Sequence, residues 1–257
     1  GLKSGGYWPG NVQKDLTNHQ STVILFDPDT GQLKSLVGGN YLTAVRTAAS
    51  SAVSIAHLAR KDSKVLGMVG AGHQSTFQLR AAVEQRDFEK VVCWNFHPEQ
   101  IPKLSAVAEE VGLPFESVTR EALCAQADVI ITITSAFEAL IDKDWIRPGT
   151  HIACMGTDTV GKQEVDANLL TVAKVFTDEL AQSISLGEAQ HAVAQKLIQQ
   201  SDIVPIGEVI NGTKTGRTSA EDITLFDGTG VGLQDLAVAS VAAELAEAKG
   251  QVTYFNL

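Results

Sequence analysis

The apolar positions between residues 64 and 177 form short unbroken runs rather than an alternating pattern. These runs predict six strands, at residues 64–69, 90–94, 114–118, 128–133, 150–155 and 174–177. The segments between them predict helices at residues 74–86, 98–111, 120–126 and 136–145. Wholly apolar strands are typical of a sheet covered on both faces, and strands that alternate with helices indicate a parallel, doubly wound Rossmann sheet.

The two ends of the chain follow a different pattern. Strands at 21–26 and 32–37, joined by a turn containing Pro28 and Gly31, predict antiparallel β structure. The other predicted elements are helices at 42–60, 185–200 and 232–248, a loop at 211–221 and a strand at 222–226. We therefore predict an α/β chain in which a Rossmann domain at 61–232 is inserted into a smaller α+β domain made of residues 1–60 and 233–257.

Composition narrows the class of protein. With 257 residues, 44% of them apolar, the chain can bury a sizeable core. Its net charge of −10 argues against a nucleic-acid partner, which draws on clustered Lys and Arg. No apolar run is long enough to span a membrane, and the first residues do not show the charged-then-apolar pattern of a signal peptide, so we expect a cytoplasmic protein without a membrane partner. Cys93, Cys124 and Cys154 lie in apolar segments and are expected to be buried thiols rather than metal ligands or disulfides.

The segment from Val65 to Ser75 reads as a strand, a glycine turn and the start of a helix. Gly70 permits the tight turn, and Gly72 lets the backbone approach a pyrophosphate without a Cβ in the way. Ser75 is small enough for the helix to pack on its strand, and the free N–H groups at the helix start face the phosphates. This pattern predicts a dinucleotide site, the alternative being a plain strand-to-helix turn.

The tip of the second strand indicates which dinucleotide is bound. An acidic residue there binds the ribose hydroxyls of NAD, whereas an Arg accepts the phosphate of NADP. This chain has Trp-Asn-Phe-His-Pro-Glu at 94–99, with no Arg or Lys between 94 and 102. Asn95 can still bond a ribose hydroxyl, and nothing cationic meets a phosphate. We therefore expect NAD (NADH), with NADP the less favoured cofactor.

Three charged residues stand out on the substrate side. Lys3 lies in a Gly-rich segment with aromatic residues, Arg46 inside a helix of small uncharged residues, and Asp227 between a strand and two glycines. Each alone could be a surface charge or part of a structural ion pair. For Arg46 we expect more, because a guanidinium among Ala, Val and Thr needs an anion to satisfy it, and a substrate carboxylate would serve.

Six blocks of sequence, spread over nearly the whole chain, carry a family resemblance. They are Lys-Ser-Gly-Gly-Tyr-Trp-Pro-Gly-Asn from residue 3, Leu-Phe-Asp-Pro-Asp-Thr-Gly from 25, Tyr-Leu-Thr-Ala-Val-Arg-Thr-Ala-Ala from 41, Gly-Ala-Gly-His-Gln from 70, Gly-Lys-Gln-Glu-Val-Asp at 161–166 and Phe-Asp-Gly-Thr-Gly-Val-Gly-Leu-Gln-Asp at 226–235. In this order they resemble the ornithine cyclodeaminase/mu-crystallin family. The resemblance implies a homodimer in which the two chain ends form a substrate and dimerisation domain around the Rossmann domain.

The resemblance also implies roles for particular residues. Lys3 is expected to contact the substrate and to exchange a proton, Arg46 to hold its α-carboxylate, and Asp227 to lie near the nicotinamide and the reacting nitrogen. The cofactor contacts that we expect are Thr47, Gly70, Gly72, His73, Gln74, Asn95, His97, Thr132, Thr134, Met155, Gly156, Gly228 and Thr229. Family chains begin well before the motif lysine, so we also expect this sequence to lack its beginning.

Three further blocks, at 6–9, 18–22 and 155–159, narrow the resemblance to the iminosuccinate reductases of the β-hydroxyaspartate pathway. We therefore expect NADH-dependent reduction of a carboxylate-bearing imino acid, specifically iminosuccinate to L-aspartate. Lys3, Ser21 and Thr22 are candidates for holding the second carboxylate. The alternatives are an ornithine cyclodeaminase-type lyase with bound NAD, an alanine dehydrogenase-like enzyme, and a mu-crystallin-like binding protein without catalysis.

Overall fold

The computed structural model describes residues 1–255, without the side chains of residues 9 and 12. Its strands are β1 (Leu2–Tyr7), β2 (His19–Phe26), β3 (Leu33–Gly38), β4 (Val65–Val69), β5 (Lys90–Trp94), β6 (Phe115–Ser117), β7 (Val129–Thr132), β8 (Phe137–Ile141), β9 (His151–Cys154), β10 (Gln163–Val165), β11 (Ala173–Thr177), β12 (Ile203–Pro205) and β13 (Ile223–Asp227). Its α-helices are α1 (Gly39–Leu58), α2 (His73–Val83), α3 (Ile101–Glu110), α4 (Arg120–Gln126), α5 (Leu180–Ser183), α6 (Ala189–Ala194), α7 (Ile206–Ile210) and α8 (Gly232–Ala248).

The chain forms two compact units, one made of residues 1–46 and 231–257 and the other of residues 47–230. In the first unit, β1, β2 and β3 form an antiparallel sheet in that order, with Lys3 opposite Val23. Its small core contains Val23, Leu25, Leu42 and Ala239. The predicted domain division at residues 60 and 233, with its functional roles, stays a prediction.

The sequence pattern missed strand β1. This strand contains Gly5 and Gly6, which weaken any strand pattern. The structure gives Gly5 a reason, because a Cβ built there would lie 2.5 Å from the Cβ of Ser21, its partner on β2. The close approach of the two strands therefore requires glycine at this position, and glycine weakens the sequence pattern by which a strand is predicted.

The second unit is built on an eight-stranded sheet in the order β12-β11-β13-β9-β7-β4-β5-β6. All of its pairings are parallel. One apolar core, with Ile55, Leu79 and Leu104, covers one face, and a second core, with Leu123 and Leu169, covers the other. The predicted doubly wound α/β class is confirmed.

The sheet order changes direction beside β4, because the chain goes first to β5 on one side and later to β7 on the other. Open parallel sheets bind ligands at such a switch point, at the carboxyl ends of the strands. The carboxyl ends of β5, β4, β7, β9 and β13 all lie along this one edge of the sheet.

Two predicted helices are wrong. Residues 136–145 form strand β8 and a short 3-10 turn, and β8 pairs in parallel with β10. Ala, Leu and Glu in this segment favour a helix, but backbone pairing with residues far along the chain overrides that local preference. The predicted helix at 185–200 is only the short α6, while residues 200–205 form a 3-10 turn and strand β12.

Within residues 1–255, no helix has the length and apolar character needed to cross a membrane. Cys93, Cys124 and Cys154 are buried free thiols, and burial raises the pKa of Cys93 to about 12. These thiols therefore remain protonated and pack as small apolar side chains.

Candidate active site

The glycine turn after β4 has the geometry of a phosphate-binding loop. Gly70 has φ +109°, and a Cβ built there would lie 2.6 Å from the carbonyl oxygen of Ile133. Gly72 has φ −74°. Among the described residues, no atom beyond its chain neighbours lies within 4 Å of a Cβ built on it, and no side chain caps the helix that follows. The first turn of α2 therefore presents its N–H groups at an open position.

Predicted cofactor residues on α2 and β5 frame this loop. The Oε1 atom of Gln74 is buried and has no hydrogen-bond partner among the described residues. Asn95 accepts a hydrogen bond from the N–H of Ala71 (3.1 Å) and donates one to the carbonyl of His97 (2.7 Å). Asn95 is thus a brace between the phosphate loop and the turn that carries His97. Its predicted contact with a ribose hydroxyl stays a prediction.

Most of the remaining predicted cofactor residues of the second unit lie at or just after the ends of β7, β9 and β13, on the same edge of the sheet. They are Thr132, Thr134, Met155, Gly156, Gly228 and Thr229. Thr47 is the exception and is buried on α1. Thr132 is wholly buried, whereas Thr134 is half-buried. The structure therefore gathers on one edge residues that are separated by up to about 160 positions in the sequence.

Asp227 ends strand β13 and is completely buried. Its Oδ2 accepts hydrogen bonds from the Ser183 hydroxyl (2.5 Å) and the Ala189 N–H (3.3 Å), while Oδ1 has no partner among the described residues. Burial, and secondarily the charge of Asp178, raise the pKa of Asp227 to about 7. No atom of this carboxyl is exposed, and its expected place near the nicotinamide and the reacting nitrogen stays a prediction.

The Asp-Gly-Thr-Gly segment after β13 is held by Asp178, which the sequence did not single out. Its carboxylate accepts hydrogen bonds from the N–H of Thr229 (3.0 Å), the Thr229 hydroxyl (2.7 Å) and the N–H of Gly230 (2.8 Å). Its position after strand β11, which neighbours β13, was the available signal. That signal needs the order of the strands, which periodicity does not give.

In the first unit, Lys3 and Arg46 meet at a buried carboxylate. The Nζ of Lys3 donates to Oδ1 of Asp235 (2.9 Å) and to the Thr43 hydroxyl (2.7 Å). The Nε of Arg46 lies 3.3 Å from the same Oδ1, and its Nη1 donates to Gln234 (3.3 Å). The two cationic side chains are each 16% exposed, so both retain access to a ligand.

This geometry adds an anion to the surroundings of Arg46. Asp235 supplies an anionic partner 3.3 Å from its Nε, but that nitrogen makes no hydrogen bond to the described residues, so the expected role of Arg46 in holding a substrate carboxylate stays a prediction. Sequence reasoning missed Asp235, although it closes the block at 226–235 on which the resemblance rested. His19 was also missed as a site residue. Its pKa is lowered by burial and by the charges of Lys3 and Arg46, so the imidazole is neutral at pH 7.

A parallel sheet with a glycine turn at its switch point, together with a cationic pair suited to a carboxylate, defines a dinucleotide-binding protein of the Rossmann class. The chain belongs to the ornithine cyclodeaminase/mu-crystallin family, whose model matches residues 1–250. The predicted family membership is thereby confirmed.

Particular relatives narrow the comparison. The chain is 58% identical, over 250 residues, to the iminosuccinate reductase of Paracoccus denitrificans (strain Pd 1222), covering 97% of this chain and 78% of that protein. It is 37% identical over 261 residues to the alanine dehydrogenase of Archaeoglobus fulgidus, covering 100% and 81%. Among solved structures, it resembles the Paracoccus iminosuccinate reductase in complex with NAD⁺, with a TM-score of 0.96, 56% identity and coverage of 99% and 79%. An archaeal alanine dehydrogenase dimer with bound NAD gives a TM-score of 0.95 at 35% identity, covering 99% and 80%.

Proposed function

We propose that this chain is an NADH-dependent imine reductase that converts iminosuccinate to L-aspartate. The observation that carries the proposal is the 58% identity to an iminosuccinate reductase over 97% of the chain. The structure adds two features that this chemistry needs, a phosphate-binding edge and a cationic pair for a carboxylate.

The residues at the sheet edge fit a dinucleotide. The open position beside Gly72 and the uncapped start of α2 suit the pyrophosphate, and Gln74 offers a buried acceptor without a partner among the described residues. Asn95 and His97 would hold the ribose, and the segments after β7, β9 and β13 would hold the nicotinamide half. NADH, when bound, supplies the hydride. The absence of Lys and Arg between 94 and 102 leaves the phosphate of NADP without a counter-charge.

We assign substrate binding to Lys3 and Arg46. Together with Asp235 they carry a net charge of +1, with His19 neutral beside them. A guanidinium can hold the α-carboxylate through paired hydrogen bonds, which orients the imine carbon for reduction. Lys3 would then contact the same or the second carboxylate.

We assign the proton to Asp227 rather than to Lys3. A protonated imine accepts a hydride far better than a neutral one, so a positioned acid accelerates the reaction. Two of the three N–H groups of Lys3 are committed to Asp235 and Thr43, whereas Asp227 has an oxygen without a partner among the described residues and a pKa of about 7. Because Asp227 is buried, this assignment also requires its neighbouring segment to move when substrate binds.

The test is NADH oxidation with ammonia and a panel of 2-oxo acids, namely oxaloacetate, pyruvate and glyoxylate, each repeated with NADPH. We expect turnover that requires both ammonia and oxaloacetate and that prefers NADH. Turnover of pyruvate with ammonia, but not of oxaloacetate, would establish the alanine dehydrogenase alternative. Ornithine consumption without net NADH oxidation would establish the cyclodeaminase alternative, and no turnover with any substrate would favour a binding protein.

We also propose that the protein is a cytoplasmic homodimer. The archaeal alanine dehydrogenase that it resembles is described as a dimer. Helix α8 exposes Leu233, Val241 and Leu245, each by more than half of its surface. Sedimentation velocity of the purified protein tests this, and a single species at the monomer mass would contradict it.

A further inference from the structure

Two glutamates lie completely inside the second unit, and the proposed mechanism uses neither. Glu164 is on β10, and Glu188 immediately precedes α6. Their side chains are 0% and 1% exposed. A buried carboxyl is costly unless every oxygen is hydrogen-bonded, so its partners indicate what it stabilises.

The partners of Glu164 come from the segments that follow β7 and β9. Its Oε1 accepts hydrogen bonds from the N–H (2.6 Å) and the hydroxyl (2.7 Å) of Thr134. Its Oε2 accepts from the Thr132 hydroxyl (2.6 Å) and the N–H of Gly156 (2.9 Å). One carboxylate thus joins two segments that we assign to the cofactor site.

Glu188 binds the backbone of the strand that carries Glu164. Oε1 of Glu188 accepts from the backbone N–H of Glu164 (3.0 Å) and of Val165 (2.8 Å). Its Oε2 lies 2.5 Å from the hydroxyl oxygen of Thr157 and also accepts from the backbone N–H of Glu164 (3.1 Å). Glu188 therefore fixes strand β10, which in turn carries Glu164.

We propose that Glu164 and Glu188 are a buried positioning pair that holds one negative charge, on Glu164, and sets the conformation of the NAD-binding segments after β7 and β9. This inference rests on the proposed function, because the segments matter only if NAD binds there.

The hydrogen-bond geometry favours the ionised form of Glu164. Each of its oxygens accepts one backbone N–H, from Thr134 on Oε1 and from Gly156 on Oε2, and one threonine hydroxyl. Four donors thus fill the acceptor positions of the carboxylate, so a proton on either oxygen would have to displace a hydroxyl hydrogen, and an amide NH₂ at either position would face a backbone N–H. Burial raises the pKa of Glu164, but the hydrogen bonds from Thr132, Thr134 and Gly156 act against that effect.

The geometry allows Glu188 to be neutral. Its Oε1 accepts two backbone N–H groups, and the one from Glu164 is shared with Oε2 (3.1 Å), which also faces the Thr157 hydroxyl. Because that N–H keeps Oε1 as an acceptor and the hydroxyl can turn and accept, Oε2 is the oxygen that can take a proton. A proton on Oε2 therefore has an acceptor in Thr157. Burial and the neighbouring charge of Glu164 raise the pKa of Glu188 to about 8, which keeps it protonated at pH 7.

The same contacts give three predicted cofactor residues, Thr132, Thr134 and Gly156, a different hydrogen-bond partner, namely Glu164. The N–H groups of Thr134 and Gly156 and both threonine hydroxyl hydrogens point to Glu164, so they are not free to bind a ligand. A Cβ built on Gly156 would lie 2.5 Å from Oε1 of Glu164. The backbone oxygen of Thr134 would lie closer still, so Gly156 is explained by its close approach to Glu164 and to the segment that Glu164 holds.

The two glutamates must respond differently to the same substitution. In Glu164→Gln, either orientation of the amide places its NH₂ against a backbone N–H, and the segment must rearrange before NADH can bind. We expect the Kd for NADH, measured by fluorescence without substrate, to rise about 10-fold or more, with kcat at saturating cofactor changing much less. In Glu188→Gln the NH₂ can donate to Thr157, so we expect the Kd within about threefold of wild type.

Glu138→Gln, the same change at an exposed position on β8, is the matched control and should bind NADH like wild type. If Glu164→Gln does not fold, Thr132→Val replaces it. This side chain is wholly buried and bonded to Glu164, so a rise in the Kd of about threefold or more would not come from a lost direct contact with NADH. Equal affinities for wild type and the Glu164→Gln or Thr132→Val protein, or a larger loss in Glu188→Gln than in Glu164→Gln, would overturn the inference. Wild-type protein that does not bind NADH would instead overturn the proposed function.

Discussion

Replacing Asp227 by Asn should make the stability of the folded protein less sensitive to alkaline pH than that of wild type, while reducing its activity. Burial moves the pKa of this carboxyl from 3.8 to about 7, so the folded protein binds the proton more tightly than the unfolded chain does. The stabilisation that this proton confers is complete below pH 3.8 and is lost as the pH rises through about 7. At about 1.36 kcal/mol per pKa unit, the total is at most about 4 kcal/mol, of which about 2–3 kcal/mol is lost between about pH 5 and pH 8.

The amide in the Asp227→Asn protein would carry no charge at any pH, so this part of the pH dependence should vanish. The amide oxygen can accept from Ser183 and Ala189 as Oδ2 does. The NH₂ then takes the place of Oδ1, which has no partner among the described residues, and so finds no acceptor there. A buried donor without an acceptor costs about 1–3 kcal/mol at every pH. The variant should therefore be less stable than wild type at about pH 5 and close to it, or more stable, at about pH 8. Activity should fall about 100-fold or more if Asp227 supplies the proton.

Urea unfolding of both proteins at about pH 5, 6.5 and 8 measures this effect. The quantity of interest is the difference between the two free energies of unfolding, because titrating groups that do not interact with Asp227 contribute alike to both. Glu188 is an exception, since the charge of Asp227 helps to raise its pKa. If the difference is constant across the three pH values, Asp227 is ionised throughout, and its assignment as the proton donor is wrong. Lys3→Met, which should weaken substrate binding more than turnover, is the matching test of the competing donor.

Three further sets of variants test the other parts of the site. Arg46→Ala should raise the substrate KM and lower kcat/KM about 100-fold, and a fall of less than about threefold would rule out a carboxylate clamp. Gly70→Ala should weaken NADH binding and lower the Tm, since φ there is +109°, whereas Gly72→Ala, with φ −74° and open space around it, should weaken NADH binding with the Tm unchanged. Asp235→Asn should raise the substrate KM about 10-fold, because Lys3 and Arg46 would both lose the carboxylate that positions them, and Asp235→Glu should recover part of this loss. An equal change in the Kd for NADH would show that Asp235 acts on the fold instead.

Local patterns were sufficient wherever an element forms from its own residues. The main strands of the large sheet and the long helix α8 were predicted within one or two residues, because buried parallel strands need unbroken apolar runs and a long helix needs consistent helix formers. The helix predicted at 136–145 was wrong for the opposite reason. Its strand β8 exists only through pairing with β10, about 25 residues further along the chain.

The candidate site divides in the same way. Gly70, Gly72, Lys3, Arg46 and Asp227 could be found from the sequence, because a turn with positive φ, a charge among small residues and a carboxyl after a strand each leave a local sign. Among the residues that hold the site together, Ser183, Glu164, Glu188 and Asp235 left no such sign. Asp178 left one, its position after a strand, but which segment it holds depends on the order of the strands.

The sequence by itself thus determined the fold class, the phosphate-binding turn and the charged residues suited to a carboxylate. Only the tertiary structure decided that Asp227 is buried, that Arg46 already has an anionic partner, and that Glu164 ties two cofactor segments together. The physical reason is that the cost of a buried charge depends on every donor around it, and those donors come from segments that only folding brings together.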